Sequence, residues 1–205
     1  PNGILGTPND ASNHADQQVS SGSDNPILTL EPLIEAVKDG LEVVGWELSG
    51  LQKTTSHQFE GRWQGKSTRS AYLFFHNEKI FEYASIDVYL DETSQGLTGN
   101  LALVVELVPL AELGDTASAI DFLCAIGSGI LPGPYQRPLT LRLRCADQAE
   151  SPSEAEVEVR FKLRLSNISI KSGHDAVMAL TVDTVCAYQA ILGHKEFRQF
   201  MPRDC

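Results

Sequence analysis

Two segments of this chain, 139–145 and 157–165, alternate apolar and polar residues at every position. Their apolar series are Leu139, Leu141, Leu143 and Cys145 in the first, and Val157, Val159, Phe161, Leu163 and Leu165 in the second. Because successive side chains of a strand point to opposite faces, this period of two predicts strands with one buried and one solvated face. The acidic segment 147–154 joins them, so we expect an antiparallel hairpin.

The polar side of the predicted hairpin carries five basic residues, which we call the basic stripe: Arg142, Arg144, Arg160, Lys162 and Arg164. Guanidinium groups bind carboxylates in a two-pronged geometry, so the stripe predicts a docking face for an acidic peptide or an anionic ligand. The alternative is structural. Glu156 and Glu158 lie on the same side, and pairing with the arginines across the strands would stabilise the hairpin by about 0.2–1 kcal/mol per pair.

Near the other end of the chain, apolar residues recur at helical spacing after Thr29, a residue suited to cap a helix. They are Leu30, Leu33, Ile34, Val37, Leu41, Val44 and Leu48. Gly40 leaves two interpretations open. One long helix can run through it at a cost of roughly 1 kcal/mol, or the helix ends at Asp39 and the sheet begins within 42–52. We favour the second, because Trp46 and its neighbours prefer strands.

Strand patterns separated by short polar turns fill the middle of the chain. We predict strands at 57–63, 70–76, 80–91 and 101–108, with a loop at 95–100. Glu106 is the one charged residue of the last of these strands, which predicts a central strand covered on both faces. Consecutive strands with short connections favour an antiparallel meander.

Two more helices complete the predicted α+β fold. One spans 116–126, and the other follows a predicted capping box at 172–175 and spans 173–192, where an alternating strand is the alternative. The order is helix, meander, helix, hairpin, helix, which predicts a mostly antiparallel sheet with helices packed on one face. This order of elements is loosely similar to that of small secretion-chaperone folds, a likeness in fold alone that rests on no motif.

The charge of the chain limits its partners. It carries 27 acidic and 16 basic residues, a net charge of −11, and such a surface repels phosphate backbones, so we expect no nucleic-acid partner. Residues 1–28 lack Lys and Arg and show no periodicity, which predicts a disordered tail before a single domain, 29–205. No run approaches the roughly 18 apolar residues of a membrane span. Because the chain starts at Pro1 rather than Met, we interpret it as a fragment or a processed product.

The cysteines indicate the compartment. Cys124, Cys145, Cys186 and Cys205 are widely spaced and form no C-x-x-C pair, which excludes the usual zinc signatures. The first three fall in apolar surroundings, where a free thiol behaves as a small hydrophobe. We therefore predict a reducing, cytoplasmic setting and no metal site or cofactor.

No catalytic set is predicted. Nucleophilic catalysis needs a serine or cysteine beside a base. His57 and His76 can approach each other across a hairpin, but no carboxylates recur beside them, and we interpret both as surface residues. Ser128 lies between glycines without the G-x-S-x-G form. Paired carboxylates such as Asp87 and Asp91 are a pattern for binding a cation or sharing a proton, but we favour a solvated strand.

Three classes of function therefore stay open. We favour a non-catalytic protein-binding module, of adaptor, chaperone-like or inhibitor type, that uses the basic stripe. The second is a small-ligand domain with a pocket between sheet and helices, lined by Trp46, Trp63, Phe74 or Tyr89. The third is an enzyme of unrecognised type.

Overall fold

The computed structural model describes residues 25–56, 68–80, 84–106, 121, 122, 125, 129, 139–144 and 156–198, with the backbone alone for 56, 139–144 and 156–159. In chain order the elements are α1 (Leu30–Val43), β1 (Glu47–Ser56), β2 (Thr68–His76), β3 (Ala84–Thr93), β4 (Gly96–Glu106), β5 (Leu139–Arg144), β6 (Glu156–Arg164), α2 (Asn167–Ser172), α3 (His174–Leu192) and α4 (Lys195–Arg198).

The six strands form one sheet in the order β1-β2-β3-β4-β6-β5, and every neighbouring pair is antiparallel. The helices α1 and α3 pack against each other and share one core with one face of the sheet. The prediction of an α+β fold with a mostly antiparallel sheet and helices on one face is confirmed.

The start of α1 is fixed by the sheet rather than by its own cap residue. Thr29 occupies the N-cap position but makes no side-chain hydrogen bond there. The amide of Leu30 instead donates to Oε2 of Glu92 on β3, at 2.6 Å. Arg69 on β2 lies between the carboxylates of Glu92 and Glu31 and makes a salt bridge with each. A carboxylate at a helix N-terminus satisfies an orphan N–H and complements the helix dipole.

The prediction that Gly40 ends the first helix was wrong, because α1 continues to Val43. The reason lies in α3. A Cβ at Gly40 would come within 2.8 Å of Cβ of Thr181 and 2.9 Å of the carbonyl oxygen of Met178. Glycine is therefore required by the close approach of two helices, and the helix break comes later, at Gly45 with a φ of 85°.

The antiparallel meander is confirmed, but some of its strands begin and end at other residues than predicted. The strand before β2 is β1, Glu47–Ser56, whereas the predicted strand at 57–63 lies outside the described residues. The predicted loop at 95–100 is a tight turn, since β4 already begins at Gly96, whose φ of 120° favours glycine. β4 lies between β3 and β6, so the prediction of a central strand is confirmed. All five residues from Leu101 to Val105 are buried, and the helices pack on one of the two faces.

The predicted hairpin exists: β5 pairs antiparallel with β6, and Leu139, Leu141 and Leu143 lie in register with Phe161, Val159 and Val157. Most of the predicted helix 116–126 lies outside the described residues, but its Phe122 is helical and buried. Ile27, within the predicted tail, is buried, and its amide donates to the carbonyl of Ile170. The remainder of that tail, 1–24, lies outside the described residues.

Helix α3 confirms the preference for helix over strand at 173–192, but not the capping box. Its N-cap is Gly173, with a φ of 103°, while the hydroxyl of Ser172 donates back to the carbonyl of Ile168 in α2. By length and composition α3 could cross a membrane, with a window of mean hydropathy 1.3. A core helix passes the same test, and one side of α3 lies in the core. Cys186, predicted to be a buried hydrophobe, is exposed on it.

Candidate functional site

The two faces of the sheet differ sharply in their surroundings. On β2, Leu73 and Phe75 belong to the core beneath the helices, whereas Tyr72 and Phe74 point the other way and remain 40% and 39% exposed. We call this second side, opposite α1 and α3, the open face. The open face has the most room for a partner that binds on the sheet, since α1 and α3 pack on the other face.

The described side chains of the basic stripe lie on the open face, as the alternation predicted. Lys162 is in register with Ala102 of β4, and Arg164 is in register with Asn100. Both cations are exposed, and neither makes a salt bridge within the part of the chain that the structure describes. The corner of the open face above β6 is therefore locally positive.

Arg160 differs from these two residues. It is in register with Val104, and its Nη2 lies 3.3 Å from Oδ2 of Asp87 on β3, with only 21% of its side chain exposed. The guanidinium thus reaches across β4 to the carboxylate, and Ala102 and Val104 on this face are buried. Arg160 stabilises the sheet and is not a free cation for docking.

The two remaining members of the stripe lie on β5. Arg142 is in register with Glu158, and Arg144 with Glu156. Their side chains lie outside the described residues. These register positions match the structural alternative, in which acids of β6 oppose the arginines across the hairpin.

Sequence reasoning assigned Phe74 and Tyr89 to a pocket under the helices and missed that they lie, with Tyr72, on the same face as the stripe. An unbroken row crosses five strands on the open face: Gln52, Tyr72, Tyr89, Asn100 and Arg164. The rings of Tyr72 and Tyr89 are 4.7 Å apart between centroids and tilted by 43°, an arrangement typical of aromatic pairs. The signal was present in β2, where Tyr72 and Phe74 alternate with the buried Leu73 and Phe75, but only the pairing register shows that Tyr72 shares a row with Arg164.

The two aspartates of β3 on the open face have partners. Oγ of Ser70 donates to Oδ1 of Asp91 at 2.9 Å and lies 3.4 Å from the hydroxyl of Tyr89, while Asp87 binds Arg160. Within the described part of the chain, no three His, Cys, Asp or Glu side chains are grouped as a metal ion would require. Asp87 and Asp91 are each half-buried and held by a neighbouring side chain, whereas the sequence predicted a solvated strand.

The residues named for a pocket between sheet and helices do not come together. Trp46 is fully buried in the core, whereas Phe74 and Tyr89 lie on the open face, on the other side of the sheet. Trp63 lies outside the described residues, as do His57 and Ser128. His76 is exposed at the end of β2.

One histidine that sequence reasoning did not single out joins two helices. Nε2 of His174 at the start of α3 lies 2.9 Å from Oδ2 of Asp39 in α1, and Nδ1 lies 3.2 Å from Oδ1 of Asp175. Burial lowers the pKa of His174, but the hydrogen bonds and charges of Asp175 and Asp39 outweigh it, so the pKa lies above its ordinary value of 6.5. The contact between His174 and Asp39 joins α1 to α3 and lies away from the open face.

The open face presents several kinds of group that a partner can contact. It offers hydrogen-bond donors, two exposed cations and two exposed rings. No family model matches the chain, and neither a curated protein nor a solved structure matches it.

Proposed function

We propose that this protein is a non-catalytic protein-binding module whose open face holds an acidic segment of a partner protein. The observation that carries the proposal is the pair Lys162 and Arg164, two exposed cations on one face of β6 without a salt bridge among the described residues. Alternate residues of a strand are about 7 Å apart, so both cations can bind neighbouring carboxylates. Arginine adds a two-pronged geometry that selects carboxylate oxygens.

The charge around this corner favours a peptide over a nucleic acid. The exposed Glu106 lies on the same face at the end of β4, and the whole chain carries a net charge of −11. A phosphate backbone carries charge along its entire length and would be repelled by this carboxylate and by the net charge. A peptide with a short acidic group places its charge at the positive corner alone.

A reducing compartment suits this module. Cys186 is a free cysteine on the surface of α3. Exposed thiols persist in the cytoplasm, where reductants keep them reduced. A cytoplasmic location is therefore part of the proposal.

Selection from a phage-displayed random peptide library tests the proposal directly. We expect the wild-type protein to enrich peptides rich in Asp and Glu. The variant K162E/R164E should lose this enrichment and should bind the selected peptides at least about tenfold more weakly, which corresponds to about 1.4 kcal/mol.

The matched control reverses the same number of charges elsewhere. Lys171 in α2 and Lys195 in α4 are both exposed and lie off the sheet. K171E/K195E changes the net charge equally and should keep the enrichment. Equal loss in both variants, or selected peptides without acidic bias, would contradict a local acidic-peptide site.

A further inference from the structure

We infer that the acidic-peptide site has a second half, formed by Tyr72 and Phe74 on β2, which binds an aromatic or large aliphatic side chain of the same partner segment. The segment then crosses the strands of the open face, with its acidic end over β6 and its apolar end over β2. This inference rests on the proposed function and specifies the partner more narrowly.

Two exposed rings on adjacent positions of one strand face are the first observation. Tyr72 and Phe74 are the aromatic residues among the large hydrophobic side chains that the described structure leaves exposed. They follow each other on the same side of β2, so they form one apolar patch rather than two isolated contacts. Exposed aromatic rings of this kind are typical anchors of protein interfaces, where they supply large contact areas.

Both rings are held in place before any partner binds. The ring of Phe74 covers Gly50 of β1, where a Cβ would lie 3.3 Å from its Cδ2. The ring of Tyr72 packs against Tyr89. Binding to positioned rings costs less side-chain entropy than binding to free ones. The absence of a side chain at Gly50 also keeps the patch open toward the edge of the sheet.

The strand register places each ring in the same row of the sheet as one cation. Tyr72 lies in the row that ends at Arg164, and Phe74 lies in the next row, which passes through Asp87 and Ala102 to Lys162. In both rows the ring and the cation are separated by three strand spacings, from β2 to β6. At about 4.8 Å per spacing, the two halves of the site lie about 14 Å apart.

This distance fixes the spacing within the partner. An extended chain advances about 3.3 Å per residue, so it spans about 14 Å in four residues, whereas a helix at 1.5 Å per residue needs about nine. The surface of the sheet between the two halves projects little at β4, because Ala102 is small and buried between Asp87 and Lys162. Asn100 and Tyr89 can offer hydrogen bonds to a crossing backbone. We assign the site to an extended segment with an aromatic or large aliphatic residue four residues from its acids.

Defined peptides test this arrangement by fluorescence anisotropy. The first probe is a fluorescein-labelled peptide in which three serines separate one Phe from a Glu-Ser-Glu group, and the second has Ala in place of Phe. A third has eight serines between Phe and the acids, and a fourth probe is a single-stranded oligouridylate. We expect the first probe to bind about tenfold more tightly than the second and third, with no binding of the oligonucleotide.

Variants then separate the two halves. Y72A/F74A should weaken the first probe to the affinity of the Ala probe and leave the Ala probe unchanged, whereas K162E/R164E should weaken both. L51A is the matched control, because Leu51 is also exposed but is in register with the core residue Leu73 and therefore lies on the other face. Amide shift mapping of the wild-type protein with the first probe should show changes on β2 as well as β6, without relying on any variant.

The outcomes distinguish the two proposals. Equal affinity for the Phe and Ala probes, with both weakened by K162E/R164E, would remove the aromatic half and leave the acidic-peptide function standing. No binding of any acidic probe would refute both. Tighter binding of the eight-serine probe would overturn the extended crossing, and oligouridylate binding that Y72A/F74A abolishes would show that the face holds a nucleic acid instead.

Discussion

Replacement of Gly40 by alanine tests how closely α1 and α3 pack. Alanine is favoured over glycine in a helix interior by about 1 kcal/mol, so local propensity alone predicts a more stable protein. The structure predicts the reverse, because the new Cβ would lie 2.8 Å from Cβ of Thr181 and 2.9 Å from the carbonyl oxygen of Met178. Thr181 is fully buried, and its hydroxyl donates to the carbonyl of Val177, so it cannot turn away without losing a hydrogen bond.

Overpacking of a core costs about 1–3 kcal/mol, and two contacts against rigid neighbours put G40A near the upper end. After subtraction of the helix gain, we expect a loss of about 2 kcal/mol and a melting temperature lower by about 4–8 °C for a domain of this size. Thermal unfolding followed by far-UV circular dichroism measures this. G193A is the control, since its Cβ would approach only the carbonyl of Gln189 in the preceding turn, and we expect little change. A melting temperature that rises in G40A would refute the close contact.

Two further predictions concern the attachment of α3. Because the pKa of His174 is raised in the folded protein, its contribution to stability is present below the unfolded value of about 6.5 and is lost as the pH rises through the folded value. At pH 5.5 the wild-type protein should therefore have a larger free energy of unfolding in urea than H174Q, by less than about 1 kcal/mol, as is usual for partly exposed ion pairs. At pH 8.5 the two proteins should be equally stable. A difference that is the same at both pH values would contradict the ion pair. The buried hydroxyl of Tyr188 donates to the carbonyl of Leu101 at 2.9 Å. Y188F should therefore lower the free energy of unfolding by about 1 kcal/mol and the melting temperature by about 2–4 °C. An unchanged melting temperature would show that this hydrogen bond contributes nothing to stability.

The parts of the fold that depend on local pattern followed from the sequence. The alternation in 139–145 and 157–165 predicted the hairpin β5–β6, because a period of two with apolar residues on one side is typical of a strand with one buried face. Gly40 shows where local rules stop. Propensity rules treat a helical glycine as a weak point, whereas here α3 requires it, and the residues that make it necessary are more than 130 positions away along the chain.

The candidate site also has a part that followed from local sequence pattern and a part that depends on distant strands. The period of two was enough to place Lys162 and Arg164 on one face, because that placement depends on their own strand alone. The role of Arg160 depends on Asp87, which lies two strands away, and so it could not be deduced without the pairing of β4 with both β3 and β6. The aromatic half was missed for the same reason, since no pattern within β2 tells which distant strand carries the cation of its row.

The ion pair between Arg160 and Asp87 has a consequence for specificity. Asp87 lies between Phe74 and Lys162 in its row, and the neighbouring guanidinium of Arg160 reduces the repulsion between its carboxylate and an acidic segment that crosses this row. The middle of the face is therefore close to neutral, and the positive charge is concentrated at Lys162 and Arg164. The −11 charge of the whole chain opposes acidic partners at long range, but that repulsion is screened beyond about 8 Å at physiological salt. Recognition therefore depends on contacts at the corner and on the rings, which favours partners that supply both.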